Sequence, residues 1–221
     1  MLAKIQLLQR SPLCEGLNEH TVTNLLSLVE FRRFGPNECI VSEGEDALHV
    51  FFVVTGIVRL TRGRASGRET DVGICEPGDV FSEYLVPGGR SHALTAWAAD
   101  SAEVAAIDLL QLRILAAEHP GVLLNLMRIA SRHLVEAFEC IAGDRSQTAA
   151  QRVANYFLRH CPRSATQASF RLPYRKRILA GKLGLAPEAL SRAFSALSDV
   201  GVVVAGKTVR IDNVEMLRTI C

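Results

Sequence analysis

The sequence predicts an α+β chain in three parts: an N-terminal antiparallel β sandwich or barrel, one long helix, and a C-terminal helix-turn-helix backed by a β hairpin. Three observations carry this. Between residues 39 and 107, short apolar or alternating runs are separated by Gly44, Gly56, Gly67 and Gly78, spaced 12, 11 and 11 apart. Regular turn punctuation between short strands marks compact antiparallel folds. From Pro120 to Gly143, apolar residues recur at alternating spacings of three and four, the period of a helix with an apolar seam. Finally, Leu183 to Arg192 reads as one helix ending at Gly184 and another starting at Pro187. Glycine is the usual residue just past a helix end, and proline suits the first helical position.

In chain order, the first elements are helices, roughly Leu2–Gln9 and His20–Leu28. Strands are expected at Cys39–Val41, Val50–Val54, Ile57–Leu60, Thr70–Ile74, Ala93–Trp97 and Ala102–Ile107, and the pattern turns helical from Leu109. In the long helix, Met127, Ala130, Leu134, Ala137 and Ile141 form a seam whose alanines let a partner helix approach closely. A second row, Val122, Leu126, Ile129 and His133, lies round the side and is expected to pack on the β domain. A helix apolar on two sides needs two neighbours, so a homodimer is expected. Gly143-Asp144 is expected to break this helix and act as a hinge. Beyond it come a helix over Ala149–His160, a polar loop over Arg163–Gln167, a short strand at Phe170–Pro173, and the helix-turn-helix. A hairpin over residues 201–211, turning at Ala205-Gly206, completes a winged helix. The expected division is 1–117, 118–143 and 144–221.

Hydrophobic residues make up 48% and charged residues 22% of the 221, an ordinary globular balance. No apolar run approaches the length of a membrane span, and Met1–Arg10 is amphipathic rather than a signal peptide, so a cytoplasmic protein is expected. The six cysteines (Cys14, Cys39, Cys75, Cys140, Cys161 and Cys221) are scattered, with no CxxC pair and no local Cys/His cluster. This argues against a zinc ribbon and a locally encoded iron–sulfur site, so no metal ligands are assigned. No Ser-His-Asp set, P-loop, HExxH or GxGxxG presents itself, and the chain is read as a non-enzyme.

Charge is sharply divided. Residues 1–149 carry 13 Lys and Arg against 19 Asp and Glu, a formal −6, whereas residues 150–221 carry 12 against 4, a formal +8. A basic domain attracts the phosphate backbone through counterion release, and an acidic partner domain stays clear of it. The second helix of the corner is therefore read as one that enters a DNA major groove. Near its N-terminus stand Glu188, Ser191 and Arg192. Arginine can bond bidentately to guanine, glutamate can accept from a cytosine or adenine amino group, and serine is a short adaptable partner. Arg175, Lys176, Arg177, Lys182 and Lys207 are the residues expected to contact phosphate.

Ordered this way, the chain resembles the CRP/FNR family of bacterial transcription regulators. The resemblance rests on Gly44-Glu45, on Gly78-Asp79-Val80-Phe81-Ser82-Glu83, on the long helix and on the winged helix. It implies a β-roll of the cyclic-nucleotide-binding type (a double-stranded β-helix) that senses a signal, long helices that pair in a homodimer, C-terminal helices that read a palindrome in double-stranded DNA, and RNA polymerase as a partner. Glu188-x-x-Ser191-Arg192 is similar to the E-x-x-S-R pattern of the FNR and DNR branches. The cyclic-AMP receptor has an arginine immediately before the glutamate, where Pro187 stands here. The resemblance therefore implies an inverted repeat with half-sites similar to TTGAT.

The sensor is less clearly written. Cyclic-nucleotide receptors of this family carry a cassette similar to F-G-E-L-A with Arg-Ser/Thr ten residues after the Glu. Here Phe81-Ser82-Glu83-Tyr84-Leu85 replaces the glycine with Ser82, and Ala93 stands at the arginine position. Arg90-Ser91 would serve only with a loop three residues shorter. Without a placed arginine a cyclic phosphate loses its charge-assisted contact, which disfavours a cyclic nucleotide. An iron–sulfur cluster of the FNR kind needs clustered N-terminal cysteines, and only Cys14 is there. Haem needs an axial ligand, for which His20, His49, His92, His119, His133 and His160 are available; His133 faces the expected pocket. The effector pocket is thus read as Phe81, Ser82, Glu83, Arg90, Ser91 and His133, with its ligand open. The alternative to a regulator is a cyclic-nucleotide-binding sensor module whose C-terminal helices contact a protein partner.

Overall fold

A computed structural model describes residues 2–63, 69–162, 164–173 and 175–221. Gly67 and Arg163, read above as turn and loop residues, lie outside the described residues. The chain divides into two compact units, Met1–Glu136 and Ala137–Cys221.

The first unit opens with α1 (Leu2–Gln9) and α2 (Glu19–Ser27). The Asn18 carboxamide caps α2 by accepting from Thr21 N at 2.8 Å, satisfying one of the donors that a helix start leaves unpaired. Eight strands follow: β1 (Val29–Phe34), β2 (Cys39–Val41), β3 (His49–Thr55), β4 (Val58–Gly63), β5 (Glu69–Cys75), β6 (Val80–Phe81), β7 (Thr95–Ala98) and β8 (Ala102–Asp108). They form two antiparallel four-stranded sheets, ordered β1-β8-β3-β6 and β2-β7-β4-β5. This is the β-roll. The turns at Gly44, Gly56 and Gly78 all have positive φ, as the glycine punctuation requires. At Gly56 the requirement is double: φ is +80° and a Cβ would stand 2.3 Å from the Ser101 carbonyl oxygen.

β3 shows why this region reads as an unbroken apolar run. Val50, Phe52 and Val54 join a core with the helices, among them Leu8, Leu25, Leu112 and Leu126. Phe51 and Val53 face the other way, into the space between the sheets with Phe81, Val104 and Ala106. A strand covered on both faces has no polar side to alternate with.

α3 (Leu109–Glu118), capped by Asp108, leads into α4 (Pro120–Ser146). The inner row is as expected: Val122, Leu126 and Ile129 are buried in the helix-side core. The break expected at Gly143-Asp144 is not there, since α4 runs on to Ser146. One glycine inside a helix costs only about 1 kcal/mol, too little to stop 27 residues. The stop comes from Thr148, which caps the next helix through a reciprocal box with Gln151.

The second unit contains α5 (Ala149–Arg159), β9 (Ala168–Arg171), α6 (Lys176–Lys182), α7 (Pro187–Ser198), β10 (Val202–Ala205), β11 (Thr208–Ile211) and α8 (Val214–Arg218). Its sheet is antiparallel in the order β10-β11-β9. The wing turns on Gly206-Lys207, because Ala205 pairs with Thr208; this is one residue later than expected. Phe157, Leu172, Leu179, Leu197, Val209 and Leu217 are buried there. No helix among the described residues is long and apolar enough to cross a membrane.

Candidate DNA interface and sensor cassette

The helix-turn-helix corner is made as the sequence indicates. Gly184 adopts φ +62°, a left-handed conformation that lets Leu185 N return to the Ala180 carbonyl at 2.9 Å. Pro187 then opens α7, whose N-cap residue Ala186 supplies no side-chain bond. Leu190, Ala193 and Leu197 are buried, so the helix period leaves Glu188, Ser191, Arg192 and Ser195 exposed together on the opposite face. The Ser191 hydroxyl donates to the Pro187 carbonyl at 3.0 Å.

Arg175, Lys176, Arg177 and Lys182 are exposed on and beside α6. The Lys176 ammonium sits 5.2 Å from the centre of the Phe194 ring, a cation–π contact that ties α6 to α7. Lys207, at the wing turn, donates to the Pro173 carbonyl at 3.4 Å. Sequence reasoning missed Arg152 of α5. Its Nη1 donates to the Leu183 carbonyl at 3.0 Å and to that of Gly184 at 3.5 Å, bracing the corner from behind. No local signal announces this, since the two ends lie 31 residues apart.

On α4, Met127, Leu134 and Ile141 of the expected seam are 58%, 55% and 49% exposed; Ala137 is exposed and Ala130 half-buried. Leu123, Leu124, Val135 and Phe138 are exposed as well. At 100° per residue, Leu123 and Phe138 fall on the seam itself, so the unpartnered face is wider than the three-four row alone suggests.

In the β-roll, Phe81, Ser82 and Glu83 are all buried. Phe81 stacks on Phe51 at 4.9 Å between ring centres. Ser82 takes φ +67°, the left-handed region that favours glycine, and its hydroxyl shares a 3.3 Å hydrogen bond with Nδ1 of the buried His92. Glu83 Oε1 accepts from His133 Nδ1 at 2.8 Å. Arg90 and Ser91 are not brought to this cluster: both are exposed, on a segment that pairs with residues 44–47 through Gly44 N to His92 O and Ala47 N to Arg90 O. Position 92 is the one that turns inward. Further groups not foreseen complete the loop. Tyr84 Oη accepts from Ala93 N at 2.8 Å, and Arg113 donates to the carbonyls of Leu85, Val86 and Gly89 at 2.7, 3.2 and 2.6 Å.

The electrostatics follow burial and partners. The hydrogen bond to Glu83 raises the His133 pKa above its ordinary value, against the opposing effect of burial. Desolvation lowers those of His92 and His49, with Arg32 adding to the effect on His49. Burial pushes the Cys14 thiol up to about 11, which does not suit a thiolate ligand of an iron–sulfur cluster. Cyclic phosphate does not fit this cassette either. Ser82 fills the glycine position, Ala93 is apolar, Arg90 is exposed, and the Glu83 carboxylate holds an imidazole. At His133, Nδ1 is engaged by Glu83, and the charges of Glu136 and Arg132 also act on the ring. The other five histidines bond to Asn24, Arg32, Ser82, Thr21 and the Tyr156 carbonyl.

A sensor-type β-roll continued by a long helix into a winged helix-turn-helix defines a class of DNA-binding transcription regulators. Comparison with known proteins agrees. Residues 31–119 match the family described as Cyclic nucleotide-binding domain, and residues 151–220 that described as Crp-like helix-turn-helix domain. The chain is 28% identical over 211 residues to the cyclic AMP receptor protein of Thermus thermophilus, covering 95% of this chain and 96% of that one. It is 30% identical to a structure from Ruegeria pomeroyi described as a candidate cyclic nucleotide binding protein, with 99% and 96% covered and a TM-score of 0.65. FixK2 from Bradyrhizobium japonicum is 27% identical, with 87% and 96% covered and a TM-score of 0.73. The chain belongs to the CRP/FNR family and is a DNA-binding transcription regulator of that type.

Proposed function

We propose that this regulator acts as a homodimer on an inverted repeat with half-sites similar to TTGAT. The carrying observation is the shared exposed face of Glu188, Ser191 and Arg192 in the first turns of α7, on a segment with a formal charge of +8. The match of these residues to E-x-x-S-R, with Pro187 ahead of the glutamate, supports the FNR-type half-site. Arg192 pairs with a guanine, Glu188 accepts from a base amino group, and Arg175, Lys176, Arg177, Lys182 and Lys207 hold the backbone.

Pairing of two α4 helices along Met127, Ala130, Leu134, Ala137 and Ile141, extended by Leu123 and Phe138, covers the exposed apolar face. It also gives two-fold symmetry to match a palindrome. The chain works in the cytoplasm without catalysing a reaction, is controlled through its β-roll, and meets RNA polymerase at its promoters.

Anisotropy titration of a labelled TTGAT palindrome against scrambled DNA tests this. Preference for the palindrome by about a thousandfold or more is expected. Equal affinity for both would set the reading aside.

A further inference from the structure

Glu83 and His133 are 50 residues apart, one on the loop after β6 and the other on α4, and they meet in a single short hydrogen bond. Glu83 is 7% exposed and the His133 side chain 30%, so the pair is largely shielded from water, where charge-assisted hydrogen bonds are strongest. Around His133 stand Arg132 and Glu136 on its own helix. Arg132 also faces Asp79, at 3.9 Å, on the turn before β6. The β6 end of the roll therefore meets one short stretch of α4 through two pairs, the Glu83–His133 hydrogen bond and the Asp79–Arg132 ion pair.

The rest of the cassette is closed by the protein itself. Ser82 is left-handed and its hydroxyl bonds His92, Tyr84 accepts from the backbone at Ala93, and Arg113 binds three carbonyls of the same loop. A non-glycine residue in that conformation is strained and persists only where its surroundings fix it. Among the described residues of the cassette, Glu83 Oε1 and the Ser82 hydroxyl, which a sugar hydroxyl would use, are engaged internally, and Ala93 stands where a phosphate-pairing arginine would be.

We propose that the Glu83–His133 pair is the coupling contact between the β-roll and the long helix, made by the protein's own imidazole in place of a bound cyclic nucleotide. Signals reach the DNA-binding unit by making or breaking this pair, and cyclic nucleotides have no site in the cassette. The effect on DNA rests on the function proposed above.

The full chain and its His133→Ala, Glu83→Gln and doubly substituted variants test this. Titration calorimetry with cyclic AMP and cyclic GMP is expected to show no saturable binding to the unmodified chain; saturable binding overturns the proposal. Each single variant, its fold checked by circular dichroism, is expected to lower affinity for the palindrome about tenfold. The double variant should be no weaker than either single one, the signature of two residues acting as one unit. Unchanged affinities or additive losses overturn the proposal. Amide hydrogen exchange over residues 130–136 is expected to quicken in both single variants, and this is read without DNA. If the unmodified chain bound no palindrome, the function above would fall. The exchange and calorimetry arms would still decide the coupling: faster exchange upholds it, unchanged exchange rejects it.

Discussion

Arg152 Nη1 donates to the Leu183 carbonyl at 3.0 Å, tying α5 to the last turn of the first helix of the corner. The carbonyls at a helix C-terminus have no partner within the helix, and a guanidinium there both bonds them and meets the negative end of the helix dipole. Gly184, whose left-handed backbone makes the turn, receives a second, longer contact at 3.5 Å. Arg152→Ala is expected to cost about 1–3 kcal/mol in urea unfolding of the full chain. It should also lower preference for the palindrome over random DNA, because α7 is no longer held at a fixed angle. Wild-type stability and preference together would show that the brace has no role.

Arg192 and Lys176 should fail in different ways. Arg192→Ala is expected to lose about 1–3 kcal/mol of binding and to relax selectivity at one base pair. Lys176→Ala should weaken all sequences alike and reduce the salt slope by about one. Competition against single-base variants of the palindrome at several salt concentrations separates the two. Equal losses by Arg192→Ala on specific and random DNA contradict its assignment.

Phe138 is 60% exposed and Leu134 55%. In a symmetric helix pair such residues meet their own copies or near neighbours, so Phe138→Glu would place two carboxylates at the interface. Sedimentation velocity is expected to show conversion of dimer to monomer with little change in the circular dichroism of the chain. A variant that sediments unchanged would remove α4 as the pairing surface.

The histidines give opposing pH effects with a clear sign. The pKa of His133 is raised in the native state by Glu83. Its contribution to stability is therefore complete below the unfolded value near about 6.5, and fades as pH rises through the higher native value. Those of His92 and His49 are lowered by burial; their contribution is complete above about 6.5 and is lost as pH falls through the lower native values. The difference in unfolding free energy between the unmodified chain and His133→Ala should be largest below about pH 6.5 and shrink on the alkaline side. Growth of that difference with pH would reverse the assignment.

The strands and helices that hold the core were legible because their apolar patterns are long: β3, the inner row of α4 and the helix-turn-helix corner all stand where the sequence puts them. β1 escaped because Glu30, Arg32 and Arg33 dilute its apolar residues; it lies at a sheet edge, paired on one side only with β8. β6 is only two residues long, and its pairing with Phe51 and Phe52 cannot be read locally. Glu188, Ser191 and Arg192 could be found because a helix period places them together. The Glu83–His133 bond, the turn-in of His92 and the brace of Arg152 join residues 50, 10 and 31 positions apart, and only the tertiary fold brings them within reach.

The most direct test is the binding of the full chain to a labelled duplex carrying two TTGAT half-sites in inverted repeat, against the same duplex with one half-site scrambled. Two chains per intact duplex are expected, with affinity falling by at least about a hundredfold when one half-site is destroyed. One chain per duplex, or equal affinity for both, would contradict a dimeric palindrome reader.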